Sequence, residues 1–397
     1  MRDVFLIFLR LGLTSFGGPI AHLDIFRREF VAKRQWLDQQ TYAEMVAVCS
    51  VLPGATSSQV GLSLGHLRGG WRGALAAWAG FTLPSAIIMV AFAFFAAGPG
   101  AVAHQPWVHG LKLAAVAIVA HAIWGMIRTY CLNLGALVLA VLIAAVLAGL
   151  PTLTAQLATL AFGAVAGVRL KWGAMDNAAQ SEPAPRINYA LSLTAILIFT
   201  ALLAALPALV QLHPNALLVI ADKFYRAGAL VFGGGHVVLP LLHQEFVAPG
   251  LIDADTFLAG YGMAQAVPGP LFTFAAYLGG VVGGGVTGSA GDTVAAALVS
   301  LVMIFLPSVL LVAGAVPLLR GLQRHVWARH MLAGINVAVV GFLMAAFATP
   351  ILPTAIQSFP DIILAAVGLA LLFTRKVPSW AVVLLCAGVA QGYAWLA

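Results

Sequence analysis

A short polar segment follows a helix break in the first third of the sequence. The break is Val51-Leu52-Pro53-Gly54, and the next residues are Ala55-Thr56-Ser57-Ser58-Gln59. Proline removes a backbone donor and glycine lets the chain turn, so one helix should end here and another begin. The first N–H groups of the new helix lack intrahelical partners and carry the positive end of its dipole, which attracts anions. The alternative is a proline kink with a serine–threonine cap.

Two arginines and two glycine motifs could complete an anion site. Residues 8–31 read FLRLGLTSFGGPIAHLDIFRREFV, and residues 224–247 read FYRAGALVFGGGHVVLPLLHQEFV, with an arginine and Phe-Gly-Gly at matching places. Glycine-rich turns can present successive N–H groups to an anion, or they can let two helices touch. A guanidinium can donate two hydrogen bonds to an oxyanion together, or it can snorkel to the membrane surface or pair with a glutamate.

The candidate residues fall into two groups by their chemistry. The first group, expected to bind substrate, comprises Arg10, Ser15, Gly17, Gly18, Gly54, Thr56, Ser57, Ser58, Gln59, Arg226, Gly233, Gly234, Gly235, His236 and Gly269. The second group, the proton-coupling candidates, comprises Glu44 and His22. Histidine titrates nearest neutrality, and a carboxyl in apolar surroundings can exchange protons. The alternative for each is a hydrogen-bonded structural group.

The elements that position these residues must be membrane helices. The chain has 397 residues, of which 62% are hydrophobic and only 8% are charged, whereas soluble domains carry about 25% charged residues. Its mean hydropathy is +1.00. The net charge of +7 falls in a few loops and reports topology, so nucleic acid is not an expected partner.

The residue patterns of common enzyme and metal sites are sparse in this sequence. HExxH and acidic metal clusters are absent, and the three cysteines, Cys49, Cys131 and Cys386, are far apart in sequence. We therefore expect no enzyme, no metal site, no cofactor and no disulfide.

The duplication continues beyond its opening phrase. Val51-Leu52-Pro53-Gly54 matches Ala266-Val267-Pro268-Gly269, and Leu83-Pro84-Ser85 matches Leu306-Pro307-Ser308. The sequence therefore predicts a first repeat over residues 1–168 and a second over 207–397. Residues 169–206 lie between them and supply a cytoplasmic linker followed by one extra transmembrane helix, 187–206.

Loop charges predict that the two repeats are inverted. Arg27, Arg28, Lys33 and Arg34 follow the first segment, whereas the matching stretch has no Lys or Arg. Because positively charged loops stay cytoplasmic, the halves should face opposite ways, as in secondary transporters. The expected fold is an all-α polytopic membrane protein built from two inverted-topology repeats with broken or re-entrant helices. Segments 4–20 and 41–67 are read as re-entrant, with two full crossings as the alternative.

Four phrases resemble the chromate ion transporter family in its long two-domain form, over nearly the full chain. They are FLRLGLTSFGGPIAHL, VLPGATSSQ, FGGGHVVLPLL and AQAVPGP. The family's signature regions correspond to Arg10–Pro19, Pro53–Gln59, Gly233–Pro240 and Pro268–Pro270.

This resemblance implies a secondary transporter in the bacterial inner membrane that exports chromate, confers chromate resistance, and is driven by the membrane potential or the proton gradient. A transporter or channel for sulfate or another oxyanion is the alternative. The expected partners are the oxyanion and the lipid bilayer, with a homodimer as one option for assembly.

Overall fold

The computed structural model describes residues 1–97, 105–172, 189–232, 235–322, 326–374 and 376–396. Helices account for the regular structure of these residues, and none of them forms a strand. Five helices are long and apolar enough to cross a membrane: Thr56–Ala96, Pro106–Tyr130, Tyr189–Leu212, Ala290–Val316 and Val326–Ala355. The predicted all-α polytopic membrane protein is therefore confirmed.

The helices form two sets, one in each half of the chain. The first half contains α1 (Arg2–Thr14), α2 (Gly18–Phe26), α3 (Gln39–Val51), α4 (Thr56–Ala97), α5 (Pro106–Tyr130), α6 (Leu134–Gly149) and α7 (Leu153–Arg169). After α8 (Tyr189–Leu212), the second half contains α9 (Ala216–Leu230), α10 (Val238–Phe246), α11 (Ala254–Ala266), α12 (Phe274–Thr287), α13 (Ala290–Leu322), α14 (Val326–Ala346), α15 (Leu352–Ala355), α16 (Phe359–Phe373) and α17 (Ser379–Leu396). Short π turns span Arg27–Lys33 and Phe347–Ile351, and 3₁₀ turns span Gly235–Val237 and Leu271–Thr273.

The helices around the two Pro-Gly breaks are short. Helices α1, α3 and α11 have 13 residues each and α9 has 15, whereas a crossing needs ~20 residues. The predicted segment 4–20 is wrong as a single unit, because the chain turns through Gly17 (φ +101°) and Gly18 (φ +75°) between α1 and α2. Short helices at these places are what a re-entrant arrangement requires.

Helix α4 contains a sharp bend. Gly69 and Gly70 have non-helical backbone angles, with φ +58° at Gly70. The helix therefore consists of a first part that begins at the Pro-Gly break and a second part that continues to Ala97. The bend lies just after the end of the predicted segment 41–67.

Helices of one half pack against helices of the other. Helix α5 packs against α16 and α17, and α14 packs against α6 and α7. Glycines allow the backbones to approach closely: Gly110 of α5 lies against the Cys386 carbonyl of α17, and Gly334 of α14 lies against Gly163 and Gly167 of α7. The contacts thus come in matched pairs that cross between the halves.

Helix α8 lies at the outside of the bundle. It packs against α9 and α13, and only 11% of its most apolar window is buried. The Tyr225 hydroxyl donates to the Phe199 carbonyl over 2.9 Å. The predicted extra helix, 187–206, therefore exists but runs to Leu212, beyond the expected boundary at 206. Most of the linker, residues 173–188, lies outside the described residues.

Candidate functional site

The first Pro-Gly break holds the start of α4 against the second half. Gly54 has φ +117°, which suits glycine, and a Cβ there would collide with Ser308 Oγ. Its N–H donates to the Val231 carbonyl over 2.6 Å, and the Ala55 N–H donates to Ser308 Oγ over 3.1 Å. The residue types of this break are therefore set by a close contact between the halves.

The first turn of α4 is polar, buried and open at its N–H groups. Thr56, Ser57, Ser58 and Gln59 are exposed by 7%, 3%, 4% and 0%. The N–H groups of the first three residues have no place in the helical ladder. The Ser58 hydroxyl has no hydrogen-bond partner among the described residues. Burying such groups unpaired is unfavourable, so this turn is suited to an anion that would accept their hydrogen bonds.

Gln59 fixes the turn in place. Its Nε2 donates to the Pro53 carbonyl over 2.7 Å and so bridges the break. Its Oε1 is buried and has no hydrogen-bond partner among the residues described. The Gln59 side chain therefore stabilises the loop through Nε2, and its Oε1 stays available as an acceptor.

His22 connects the two breaks. Its Nε2 lies 3.2 Å from the Ser15 carbonyl, and its Nδ1 lies 3.5 Å from Ser57 Oγ. The same Ser15 carbonyl accepts from the N–H of Gly269, in the second break, over 2.9 Å. The imidazole is 1% exposed and stands edge-on to the Phe81 ring. The structure thus places Ser15, His22, Ser57 and Gly269 in one hydrogen-bonded chain.

The second break has the same backbone and different side chains. Gly269 has φ +104°, and a Cβ there would lie 2.8 Å from Ser85 Oγ. Pro270 stands where Ala55 stands in the first half and has no N–H to offer. The Thr273 hydroxyl donates to the Pro270 carbonyl over 2.9 Å, so it is already paired. Buried Leu271 and Phe272 make this turn apolar.

The two arginines do not have matching surroundings. Arg10 is exposed on α1. Arg226 on α9 pairs with Asp222 over 2.6 Å and with Glu245 over 3.5 Å, and Lys223 also pairs with Glu245 over 3.0 Å. The guanidinium of Arg226 is therefore engaged by carboxylates, which is the alternative stated for it from the sequence.

The other predicted residues have varied placements. Gly17 precedes α2 and Gly235 begins a 3₁₀ turn. Gly233, Gly234 and the side chain of His236 lie outside the described part of the chain. Glu44 is half-buried on α3 and accepts from Gln40 over 3.2 Å. These residues remain predictions, and the contacts described here do not join them to the turn of α4.

Two open clefts lie beside α2 and α10. One, of about 380 Å³, is lined by Asp24, Arg27 and Tyr42, among others. The hydrogen bond from Arg27, with Arg28 alongside, holds the pKa of the Asp24 carboxyl below its usual range. The other cleft, of about 360 Å³, is lined by Gln156 and His243, among others. None of the residues from Thr56 to Gln59 lines either cleft.

Sequence reasoning missed a pair of ionic contacts between the halves. Lys112 of α5 is buried and lies 2.6 Å from Asp255 of α11. One turn away, His109 lies 2.8 Å from Asp361 of α16. A lysine inside an apolar helix was the available signal, because such a charge needs a partner.

Comparisons with known proteins agree over most of the chain. The family model described as Chromate transporter matches residues 2–168 and 218–391. A chromate transport protein of Pseudomonas aeruginosa is 27% identical over 98% of this chain and 91% of its own length. A probable chromate transport protein of Synechococcus elongatus is 27% identical over 96% and 92%. An uncharacterized transporter of Methanocaldococcus jannaschii is 25% identical over 86% and 82%. No solved structure matches the chain.

Proposed function

Because the chain belongs to the chromate transporter family, we propose that it exports chromate from the bacterial cytoplasm across the inner membrane and so confers chromate resistance. The observation that carries the proposal is the first turn of α4. Its first N–H groups precede the helical ladder, and the Ser58 hydroxyl is buried without a hydrogen-bond partner among the described residues. A tetrahedral oxyanion would accept several of these hydrogen bonds at once and replace its hydration shell there.

This site differs from the one expected from the arginines. Thr56, Ser57 and Ser58 supply the donors, Gly54 allows the tight turn, and Gln59 braces it. Arg10 and Arg226 have no direct role in the proposal, because the first is exposed and the second is paired with carboxylates. Backbone and hydroxyl donors favour an anion without a side-chain cation in the turn.

The two halves act as inverted repeats in this proposal. The matched packing of α5 with α17 and of α14 with α7 supports a two-fold relation, and the basic stretch at 27–34 supports opposite orientation. Alternating exposure of the turn of α4 would then follow from movement of one half against the other.

The membrane potential could drive export. A dianion that leaves through an inside-negative potential gains roughly 2.3 kcal/mol per charge for each 100 mV. The potential supplies the energy, so the protein's role is to replace the water around the ion and to avoid forming a continuous pore.

Sulfate is the second candidate substrate. The donors of the α4 turn recognise a tetrahedral dianion and carry no feature that distinguishes chromium from sulfur. In this alternative, the same site and the same movement serve another oxyanion.

Labelled chromate uptake into everted membrane vesicles tests the proposal. Vesicles that contain the protein should accumulate chromate faster than vesicles without it, and an inside-positive potential should increase the rate. Excess sulfate tests the alternative substrate. If sulfate abolishes chromate uptake and is itself accumulated faster than chromate, sulfate is the favoured substrate. Uptake equal to that of protein-free vesicles for both ions would refute the proposal.

A further inference from the structure

His22 is a buried histidine that touches the proposed site. It is 1% exposed, and both ring nitrogens face hydrogen-bonding groups. The matching position of the second half is Val238, so the scaffold of a repeat does not require a histidine there. An imidazole buried beside an anion site and present in only one half suggests a task connected with the ion.

The contacts of His22 define its neutral tautomer. The Ser15 oxygen is a carbonyl, which can only accept, so Nε2 must carry the hydrogen. In a neutral ring Nδ1 is then an acceptor, and the Ser57 hydroxyl must donate to it. The hydroxyl of Ser57 is therefore turned toward His22 and away from any anion at the start of α4.

A proton on Nδ1 would reverse this arrangement. The charged ring donates from both nitrogens, so Nδ1–H would donate to Ser57 Oγ, and the Ser57 hydrogen would be free to donate to the anion. We infer that His22 is a positioning residue that takes up one proton when the anion binds and thereby turns the Ser57 hydroxyl toward the ion. This inference rests on the proposed oxyanion site. The proton comes from water, and no bond between heavier atoms changes.

Charge balance favours the same coupling. The helix start offers only about half an elementary positive charge, and the described first turn of α4 contains no cationic side chain. A dianion buried there would remain poorly compensated. An imidazolium one hydroxyl away adds a full positive charge, so anion binding and protonation each favour the other by the same free energy.

The charged and histidine side chains on neighbouring elements lie toward the surface. They are exposed or half-buried: Asp24 on α2; Arg2, Asp3 and Arg10 on α1; Arg27, Arg28, Glu29, Lys33 and Arg34 at the π turn; Asp38 and Glu44 at α3; and His66, Arg68 and Arg72 on α4. Several pair with one another, as Asp24 does with Arg27 and Arg28. Tyr42 and Cys49 of α3 are buried, and the Tyr42 hydroxyl donates to the Leu23 carbonyl. The groups that contact the His22 ring are the Ser15 carbonyl, the Ser57 hydroxyl and the Phe81 ring. The bound anion is therefore the charge to which His22 would respond.

Proton uptake during anion binding tests the inference. The full-length protein in lipid nanodiscs is titrated with sulfate, which stays a dianion at neutral pH, and with chromate at about pH 8. Calorimetry in buffers of different ionisation enthalpy counts the protons taken up. We expect close to one proton per ion where His22 is neutral beforehand, with affinity falling up to about tenfold per pH unit.

His22→Asn should bind the anion without proton uptake and with an affinity that no longer depends on pH. His243→Asn is the matched control, because His243 is also substantially buried but lines the cleft beside α10; it should retain the coupling. If the wild-type protein binds ions and takes up no proton, or if His22→Asn keeps the uptake, the inference is wrong and the oxyanion site stands. If the wild-type protein binds neither ion, both are wrong. The wild-type measurement decides even where a variant does not fold.

Discussion

The break before α4 and the break before α12 share a backbone and differ in their side chains. Gly54 and Gly269 both have positive φ and both donate to the opposite half, at Val231 and Ser15. After the first glycine come alanine and three hydroxyl residues, and after the second come proline, leucine and phenylalanine. A duplicated scaffold has thus kept the contact that joins the halves and has concentrated polar donors on one side.

The comparison separates residues that hold the two halves together from residues that are suited to ion binding. The glycine and the serine of the facing Leu-Pro-Ser motif serve both halves equally, because Ser308 lies against Gly54 and Ser85 lies against Gly269. The unpaired Ser58 hydroxyl belongs to the first break, and the His22 imidazole contacts Ser57 of that break. Variants in the shared set should affect folding at either break, and variants in the second set should affect ion binding.

Removal of the hydroxyls should give the largest effect. Ser57→Ala with Ser58→Ala should lower chromate uptake in everted vesicles by about a hundredfold or more, because a hydrogen bond to a charged group contributes about 1.5–3 kcal/mol. Thr273→Val, at the second break, should remain within about threefold of wild type, since its hydroxyl is paired with the Pro270 carbonyl. Equal losses from both variants would contradict the functional asymmetry.

Alanine at either glycine should destabilise the protein to a similar extent. Each substitution forces an L-residue into a positive φ, which costs on the order of 1–3 kcal/mol, and each Cβ meets a serine hydroxyl. Thermal unfolding in detergent measures the shift. Adding Ser308→Ala should recover part of the loss of Gly54→Ala, whereas Ser85→Ala should recover less of Gly269→Ala, because the Phe81 carbonyl also lies 3.2 Å from that Cβ. Tolerance of alanine at one break alone would refute the shared architecture.

The two matching arginines should respond unequally. Arg226→Gln leaves Asp222 and Glu245 without their guanidinium and should lower stability by about 1–3 kcal/mol, after allowance for partial exposure. Arg10→Gln removes an exposed charge and should change stability by less than about 0.5 kcal/mol. Melting temperature and chromate uptake are measured together. If Arg10→Gln loses chromate uptake while its stability is unchanged, Arg10 contributes to anion binding and the proposed site must include it.

An exchange of the residues after the two glycines should give the smallest effect. Ala55→Pro copies the second break and removes the N–H that donates to Ser308 Oγ, which should lower stability by about 1 kcal/mol. The backbone tolerates the change in principle, because Gly269 precedes Pro270 with a similar φ. Pro270→Ala should be close to neutral. A larger loss of stability from Pro270→Ala than from Ala55→Pro would contradict this prediction.

Local patterns predicted much of the fold. Helices α6 and α17 coincide with apolar runs that begin just after residues typical of helix starts, such as Asn133 and Pro378. The break at Pro53-Gly54 was predicted for the same local reason and is confirmed. Segment 4–20 failed, since two consecutive glycines with positive φ end α1 earlier than hydropathy indicates.

The contacts that assemble the site could not be predicted from one sequence. His22 meets Ser57 across 35 residues and Lys112 meets Asp255 across 143. Such pairs depend on how helices pack and leave no local periodicity. The donors of the α4 turn could be named as candidates because a helix start is a local feature. The surroundings of Arg10 and Arg226 stayed open between an anion and a carboxylate, because matching positions in a repeat need not have identical neighbours.

The crossed packing of α5 and α17 has a consequence for biosynthesis. Helix α5 ends at Tyr130 and its mate begins at Ser379, so α5 enters the bilayer long before the surface it packs against has been made. At typical ribosome speeds the interval is roughly ten to fifty seconds. Lys112 also precedes its partner Asp255 of α11 by 143 residues, so this charge needs other shelter until α11 has been made.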